Sequence, residues 1–135
     1  MPDTRIGHPE IGIVVRDIET VTAFYRDGLG LPHVADLPIP IGLQRRFAYR
    51  DSIIKLLQLD DAPTTSNPPG GVTGGATGLR WLTLQLPDLE EVLERSEAAG
   101  GKVAMPIQQW KDGSKFMILE DPEGSCWIEI GELRT

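Results

Sequence analysis

One pattern of strand-forming, helix-forming and turn residues is written twice along this chain. In each half, a short strand-forming run precedes an aspartate, Asp17 or Asp88, that begins a segment with apolar residues at helical spacing. Glycines end that segment about three helical turns later in both halves. Such a duplication indicates two copies of one structural unit, so it limits the fold more than any other feature of the sequence.

The order of elements in both halves is strand, helix, strand, strand, strand. Module one, about residues 8–59, has its predicted elements at 11–15, 18–29, 31–37, 43–50 and 52–59. Module two, about residues 79–133, has them at 79–86, 89–99, 102–106, 115–120 and 125–133. Residues 60–78 are rich in Pro, Gly, Thr and Ser and predict a mobile linker, which is either a lid or a plain connector.

A unit of one helix and four strands does not bury a sheet face by itself. We therefore expect the two modules to pair within a single domain that spans residues 1–135. The predicted class is α+β, with two tandem βαβββ modules whose sheets curve around a cavity.

Composition and charge exclude several classes of protein. Of the 135 residues, 40% are hydrophobic, as in a globular domain, and the net charge of -7 argues against nucleic acid or an anionic membrane as partner. The sequence shows no signal-peptide-like N-terminus and no run of about 20 apolar residues. Its single cysteine, Cys126, allows no internal disulfide. We expect a cytoplasmic protein in which Cys126 is a small strand residue rather than a nucleophile.

Three segments resemble the vicinal-oxygen-chelate superfamily, of the glyoxalase, bleomycin-resistance and dioxygenase type. They are IGIVVRDIETVTAFYRDGLGL at 11–31, GLRWLTLQLPDLEEV at 78–92 and DPEGSCWIEI at 121–130. The resemblance implies paired βαβββ modules that form a curved half-barrel sheet, often in a homodimer. It also implies the usual chemistry of the family, in which a divalent metal chelates adjacent oxygens of a small-molecule substrate.

The four positions that hold the metal in this superfamily carry an altered set of residues here. The resemblance places Glu10 and Trp81, each seven residues before a helix-capping aspartate, where the family has histidines. It places Lys55 and Glu129 where the family has glutamates. Tryptophan offers no lone pair and an ammonium group repels a cation, so two carboxylates remain, fewer than a catalytic zinc site requires.

Two details decide whether a divalent metal is still possible. His8 lies two residues before Glu10 and shares its face if the strand extends that far, which makes it the best additional ligand; the alternative is a surface histidine. The stretch from Gly124 to Glu129 is one residue longer than the common family spacing, so a bulge near 125–126 would keep Glu129 on the ligand face. No cofactor is assigned from the sequence.

We interpret Lys55 as a replacement for the positive charge of the metal, flanked by Glu10 and Glu129 in the cavity. The alternative is a surface lysine on an edge strand. The apolar residues on both sides of Lys55 favour the cavity, because they are typical of a strand buried on both faces.

Further ligand contacts are expected from aromatic, hydrogen-bonding and cationic side chains. The candidates are Trp81 as an aromatic wall, Thr83 and Gln85 on the same face, Arg46, and Trp110 at the cavity mouth. Arg45 and Arg46 point to opposite faces of a strand, so at most one of them enters the cavity, and Arg80 is a further cation. The alternatives are solvent exposure for the arginines and simple packing for Trp110.

Two classes of function remain open, and a small molecule is the partner in both. The first is an isomerase or lyase in which Glu10 or Glu129 acts as base and Lys55 stabilises a developing oxyanion. A metal-dependent glyoxalase, epimerase or dioxygenase is the metal-containing form of this class. The second is a bleomycin-resistance-like protein that sequesters an aromatic or cationic compound without catalysis.

Overall fold

The computed structural model describes residues 5–134, so residues 1–4 and 135 of the predicted domain lie outside the described residues. The strands of module one are Glu10–Val15 (β1), His33–Ile39 (β2), Gly42–Tyr49 (β3) and Ser52–Leu59 (β4). The strands of module two are Trp81–Leu86 (β5), Lys102–Gln109 (β6), Lys115–Glu120 (β7) and Trp127–Glu132 (β8). Every predicted strand is present, and no end differs from its predicted position by more than three residues.

Each module forms its own four-stranded mixed sheet. The strand orders are β1-β4-β3-β2 and β5-β8-β7-β6. In both sheets the first strand of the module pairs in parallel with the last, and the other neighbours are antiparallel. The two sheets are open, and within residues 5–134 no hydrogen-bonded ladder joins β1 to β5. The predicted α+β fold with tandem βαβββ modules is confirmed.

The outer edge strands β2 and β6 each contain a proline. Pro38 lies inside β2, which extends two residues beyond the predicted strand at 31–37, and the turn to β3 falls at residues 40–41. Pro106 occupies a similar place in β6. A proline is tolerated at these positions because an edge strand has one side without a neighbour, where the missing N–H group costs no ladder bond.

The helix of module one changes its winding. Helix α1, Ile18–Thr22, is capped by the Asp17 carboxylate, which accepts from the backbone N–H groups of Glu19 at 3.1 Å and Thr20 at 3.3 Å. The chain continues as a π-helical segment, Ala23–Gly28. The predicted capping role of Asp17 is confirmed, and the predicted single helix is a composite of two windings.

The helix of module two is a regular α-helix, Leu89–Ala98 (α2), that packs against the end of the first. The Arg95 guanidinium donates to the carbonyl oxygen of Gly28 at 3.3 Å. A Cβ added at Gly28 would lie 3.0 Å from the Cα of Ser96, so the small residues allow this close approach. The two modules therefore meet through their helices.

Apolar side chains from both helices and from one face of each sheet form a single core. Exposure alternates along β1 and β5, which shows that only one face of each strand is covered. We call the opposite, uncovered face of each sheet its open face. The fully buried core residues include Val21, Phe24, Tyr25, Phe47, Leu56, Leu89, Met117, Leu119, Ile128 and Ile130.

The linker, residues 60–78, contains one short 3₁₀ turn, Gly71–Thr73, and lies against module two. Gly71 is buried with a positive φ of 48°, and a Cβ at this position would overlap the indole ring of Trp127. Glycine is therefore required here by both conformation and space. None of the helices in the described part of the chain is long and apolar enough to cross a membrane.

Candidate functional site

On the open face of module one, Lys55 lies between Gly12 on β1 and Arg46 on β3 in the strand register. The Nζ atom of Lys55 is 2.6 Å from Oε1 of Glu10, and Nη2 of Arg46 is 3.6 Å from Oε2 of the same carboxylate. Arg46 also donates to Oε1 of Gln44 at 2.9 Å. Two cations thus share one carboxylate on this face.

The Lys55–Glu10 pair limits what either group can do chemically. The hydrogen bond from Lys55 holds the pKa of Glu10 below its ordinary value. A carboxylate with a lowered pKa is a weak general base at neutral pH, because efficient bases have a pKa close to the working pH. The geometry therefore favours Glu10 as an ion-pair partner over Glu10 as a proton acceptor.

On the open face of module two, Glu129 lies beside Thr83 on β5 and Ile118 on β7. The Thr83 hydroxyl donates to Oε1 of Glu129 at 3.2 Å. The β7–β8 register runs without a shift, so Glu129 reaches this face without a bulge inside β8. The additional residue of the spacing is accommodated in the turn at 121–126, before the strand begins.

The structure does not bring Lys55 and Glu129 together as the sequence hypothesis requires. Among residues 5–134, no ion pair within 4.0 Å joins the two groups, whereas Lys55 contacts Glu10 directly. The reason lies in the architecture. Lys55 and Glu129 belong to different sheets, and in the described part of the chain no ladder connects β1 to β5, the inner edge strands of these sheets.

The side chains at the superfamily's metal positions do not fit a divalent metal. The described residues contain no group of three or more His, Cys, Asp and Glu side chains able to hold a metal ion. His8, the predicted additional ligand, precedes β1 and contacts the exposed Asp51 at 3.6 Å instead of turning towards Glu10. Trp81 and Lys55 offer no electron pair to a cation at neutral pH. No step of the chemistry is therefore derived through a metal.

A cavity of about 660 Å³ lies between the inner edges of the two sheets. Its walls are residues 11–15 of β1, the beginning of β5 and the turn between β7 and β8, and the linker completes it with residues 63 and 65–68. The side chains are mainly aliphatic, with Trp81 as the aromatic member. Small-molecule sites in proteins have this size and this predominantly apolar character.

Polar contacts hold the linker over the cavity. Arg16 donates through Nε to the Pro63 carbonyl at 3.0 Å and through Nη2 to the Ser66 hydroxyl at 2.9 Å. The Asn67 amide donates to the carbonyl oxygen of Ser125 at 2.8 Å. The linker is therefore tied to both modules at the place where it covers the cavity.

The Glu123 carboxylate of module two caps the start of helix α1 at the rim of the same cavity. Both oxygens of Glu123 accept from the backbone N–H of Arg16, at 2.8 and 3.1 Å, and Oε2 also accepts from the N–H of Asp17 at 2.7 Å. These amide groups have no partner within the helix, so the carboxylate both satisfies them and connects the two modules.

Cys126 lines the cavity as a neutral thiol. Burial, and secondarily the nearby Asp121, raise the pKa of Cys126 to about 12. The thiolate is the nucleophilic form, so Cys126 is unreactive at neutral pH. This agrees with the expectation that Cys126 is not a nucleophile. Its predicted place in a strand is wrong, because β8 begins one residue later, at Trp127.

Of the predicted site residues, Trp81 lines the cavity, as does its neighbour in sequence, Arg80. The others lie outside its walls. Trp110 is 62% exposed and stacks on Phe116, with ring centroids 5.1 Å apart. Gln85 is exposed on β5, where its backbone N–H donates to the Tyr49 hydroxyl at 2.9 Å.

Arg45 faces the core and not a ligand. It lies on the covered face of β3, forms ion pairs with Asp36 and Glu19 at 2.9 Å each, and donates to the Thr22 hydroxyl. Its neighbour Arg46 faces the open side, so the predicted division of the two arginines between opposite faces is seen.

Two cavity residues, Arg16 and Glu123, were not singled out in the sequence. Arg16 directly precedes a helix cap, and Glu123 lies in the DPEG turn. Both positions are ordinary places for exposed charged residues. Their contact joins residues 107 apart in sequence, so no local pattern could have indicated it.

Paired βαβββ modules with a cavity between their first strands define the class of this protein. The chain belongs to the Glyoxalase/Bleomycin resistance protein/Dioxygenase superfamily, whose model matches residues 5–130. A comparison with functionally curated proteins gave no match.

Solved structures support the same fold. A glyoxalase family protein from Bacillus cereus has a TM-score of 0.77 at 15% identity and covers 94% of this chain and 93% of its own. The genomically encoded fosfomycin resistance protein FosX from Listeria monocytogenes has a TM-score of 0.67 at 16% identity, with 96% and 94% covered. TioX from Micromonospora sp. ML1 has a TM-score of 0.64 at 18% identity, with 96% and 98% covered. At these identities the likeness shows the fold alone.

Proposed function

We propose that this protein binds a small, largely apolar molecule in the cavity between its modules, through side-chain contacts and without a chelated metal. The observation that carries the proposal is the cavity of about 660 Å³, walled by the aliphatic residues of β1 and by Trp81. Burying apolar surface there provides the driving force for binding. Sequestration agrees with the neutral Cys126 thiol and with the ion-paired Glu10, neither of which is prepared for catalysis.

A cavity-filling substitution tests this function. Val14 lines the cavity and is 47% exposed, so Val14→Trp fills space without disturbing the core. Val34 has a similar exposure of 52% on β2 and does not line the cavity, which makes Val34→Trp the matched control. Calorimetric titration with 2-naphthalenemethanol, a neutral aromatic probe, should show binding to the wild type and Val34→Trp and at least tenfold weaker binding to Val14→Trp. Equal binding by all three proteins would place the probe elsewhere.

A metal titration tests the other part of the proposal. Chelator-treated protein should take up no tight equivalent of nickel, manganese, iron(II) or zinc, because Trp81 and Lys55 occupy two of the four family positions. The measurement is calorimetric stoichiometry. One tightly bound equivalent per chain would contradict the proposal and make a metal-dependent enzyme the better hypothesis.

One observation favours metal-independent catalysis as a second candidate. Glu129 is half-buried, accepts only from the Thr83 hydroxyl, and has no cation within 4.0 Å among the described residues. A carboxylate without a cationic partner can accept a proton from a carbon next to a carbonyl group. Protein-dependent deuterium incorporation into small hydroxyketones, followed by NMR, would reveal this activity. It should disappear in Glu129→Gln and persist in the exposed control Glu97→Gln; no exchange with wild-type protein rules the candidate out.

We also expect a homodimer in the cytoplasm. The superfamily resemblance implies the dimer, and exposed apolar side chains along both outer edge strands, including Val34, Leu37, Val103 and Met105, support a covered surface. Light scattering after size exclusion should give the mass of two chains. A single-chain mass at micromolar concentration would contradict this expectation.

A further inference from the structure

The cavity has a small set of charged groups, and its single carboxylate is already committed. The charged residues of the lining are Arg16, Arg80 and Glu123. Glu123 is held by backbone N–H groups at the start of helix α1, and among residues 5–134 it forms no ion pair with either arginine. The two arginine side chains therefore have no carboxylate in the cavity lining that balances their charge.

Among the described residues, both arginines are held by neutral acceptors only. Arg80 is half-buried and donates to the carbonyl oxygens of Gly71 at 3.0 Å and Pro68 at 2.6 Å. Its Nη1 atom is 3.5 Å from the Asn67 amide oxygen, at the limit of a hydrogen bond. Neutral oxygens orient a guanidinium group without neutralising its charge.

Arg16 keeps unused donors at the cavity rim. Its Nε and Nη2 atoms bind the linker, whereas its Nη1 atom has no hydrogen-bond acceptor among the described residues. A guanidinium has five N–H groups in a planar fork that matches a carboxylate. The contacts with Pro63 and Ser66 fix the orientation of this fork, so little side-chain entropy remains to be lost when an anion binds.

We propose that the ligand of this cavity is an amphipathic monocarboxylate, with its apolar body between β1 and β5 and its carboxylate at Arg16 and Arg80. The inference rests on the proposed binding function and names its ligand class. An uncompensated cation beside apolar walls is stabilised by an opposite charge, and a carboxylate supplies that charge with hydrogen bonds. The chain carries a net charge of -7, so a preference for an anion has to arise from these local cations.

The charges of the cavity lining favour an anionic ligand over a cationic one. A cationic ligand was considered because the protein is acidic, but the lining of the cavity has an excess of one positive charge. A cation would approach two arginines without a free carboxylate to receive it. The geometry therefore disfavours a cationic aromatic ligand at this place.

The test uses three probes that share one aromatic body. The full chain is titrated calorimetrically with 2-naphthoate, 2-naphthalenemethanol and 2-naphthylmethylammonium at neutral pH and low salt. We expect 2-naphthoate to bind at least tenfold more tightly than the alcohol, and the ammonium compound to bind most weakly. Decanoate is a fourth probe, which distinguishes an aliphatic from an aromatic body for the same carboxylate.

Matched variants test whether the two cavity arginines cause the preference for naphthoate. Arg16→Gln and Arg80→Gln should each lower the ratio of the naphthoate affinity to the alcohol affinity to about one, whatever each variant does to binding of the alcohol itself. Arg26→Gln is the control, because Arg26 is exposed, pairs with Asp27 and lies outside the cavity. Both arginines also bind the linker, so the measurement is the ratio of the two affinities within each variant, because a displaced linker weakens both probes while a lost cation weakens naphthoate alone.

Each outcome separates the ligand class from the binding function. Equal or tighter binding of the alcohol or the ammonium compound would overturn the carboxylate inference and leave the cavity as a binding site. A naphthoate preference that survives in Arg16→Gln, or that falls equally in Arg26→Gln, would also overturn it. Absence of binding by all four probes would contradict the proposed function itself.

Discussion

The central row of the open face contains Gly12, Lys55 and Arg46 in module one, whereas the matching row of module two contains Thr83, Glu129 and Ile118. The strand pairing is the same in both rows. The side chains are opposite in character, since two cations stand where the second module has a carboxylate and an aliphatic group. The duplicated backbone is therefore retained while the chemistry of its matching positions has diverged.

The covered faces differ in the same way. Arg45 on β3 corresponds in register to Met117 on β7, since each lies opposite a buried aliphatic residue of the next strand. Met117 is fully buried in the core, whereas Arg45 needs Asp36 and Glu19 to balance its charge. The metal site of the superfamily takes ligands from both modules, so it is lost when either module replaces its ligands.

The largest expected effect concerns the two helices. Phe24 in module one is fully buried, and its ring is so close to Gly101 that a Cβ there would lie 2.5 Å from it. Phe24→Ala should lower the free energy of unfolding by about 3–5 kcal/mol, because it removes buried contacts and leaves a cavity where the modules meet. Urea denaturation followed by circular dichroism measures the change.

The corresponding position of module two provides the comparison for Phe24. Arg95 lies seven residues after Asp88, as Phe24 lies seven after Asp17, but Arg95 is only partly buried. Arg95→Ala should cost about 1 kcal/mol through the loss of its bonds to Gly28 and Glu91. An equal loss in both variants would show that the two helices contribute symmetrically to the core.

A smaller effect is expected in the turns before the closing strands. Asp121 is fully buried and accepts from the backbone N–H groups of Glu123 at 3.0 Å and Ser125 at 2.9 Å. Asp121→Ala leaves these donors without a partner and should cost about 2 kcal/mol in the free energy of unfolding. Asp51, in the equivalent turn of module one, is exposed, and Asp51→Ala should stay within about 0.5 kcal/mol.

The contribution of Asp121 to stability also depends on pH. Burial raises the pKa of Asp121 in spite of these N–H donors. A raised pKa in the folded state means that folding favours the protonated carboxyl group. The contribution of protonated Asp121 to the free energy of unfolding is therefore present at acid pH and is lost as the pH rises through the folded pKa. Asp121→Asn, which is neutral and keeps one acceptor oxygen, should therefore cost less than Asp121→Ala at neutral pH. Equal costs of the two variants at neutral pH would show that an uncharged acceptor does not replace the carboxylate.

Arg45→Met places in module one the residue that module two has at the same register position. It should cost about 1–2 kcal/mol, less than a fully buried ion pair, because Asp36 and Glu19 keep contact with solvent when their partner is removed. Urea denaturation at pH 7 measures the difference from the wild type.

The pH dependence of Arg45→Met is a sharper measurement. The hydrogen bond from Arg45 lowers the pKa of Asp36 in the folded protein. That contribution to stability is present above the ordinary aspartate pKa of about 3.9 and is lost as the pH falls through the lower folded value. The destabilisation caused by Arg45→Met should therefore diminish below about pH 4. A difference that is constant from pH 7 to pH 3 would mean that Arg45 acts through packing rather than charge.

The fold could be predicted from the sequence because its signals are local. The apolar spacing after Asp17 and Asp88 indicates two helices, and the runs on either side of 50–51 indicate a hairpin. The faces of Glu10, Lys55 and Glu129 follow from the period of two in a strand. These predictions need only neighbouring residues.

The site could be predicted only in part, because its geometry depends on how the modules meet. Strand periodicity places Lys55 and Glu129 on open faces but does not specify the distance between the two sheets. The cavity depends on contacts such as Arg16 with Pro63 and Glu123 with the start of α1, which join distant parts of the chain. Among the predicted ligand contacts, Trp81 is at the cavity because it begins the strand on the inner edge of its sheet.

The smallest effect is expected at Trp110, just beyond β6. Trp110 stacks on Phe116 with an interplanar angle of 14°, but it is 62% exposed, so Trp110→Ala should cost less than about 1 kcal/mol. It does not line the cavity, and the affinity for 2-naphthalenemethanol should be unchanged. Trp81→Ala is the informative partner variant, because Trp81 lines the cavity and its loss should weaken binding of the probe. If Trp110→Ala lowered the affinity for the probe as much as Trp81→Ala does, the ligand would extend across the open face of module two.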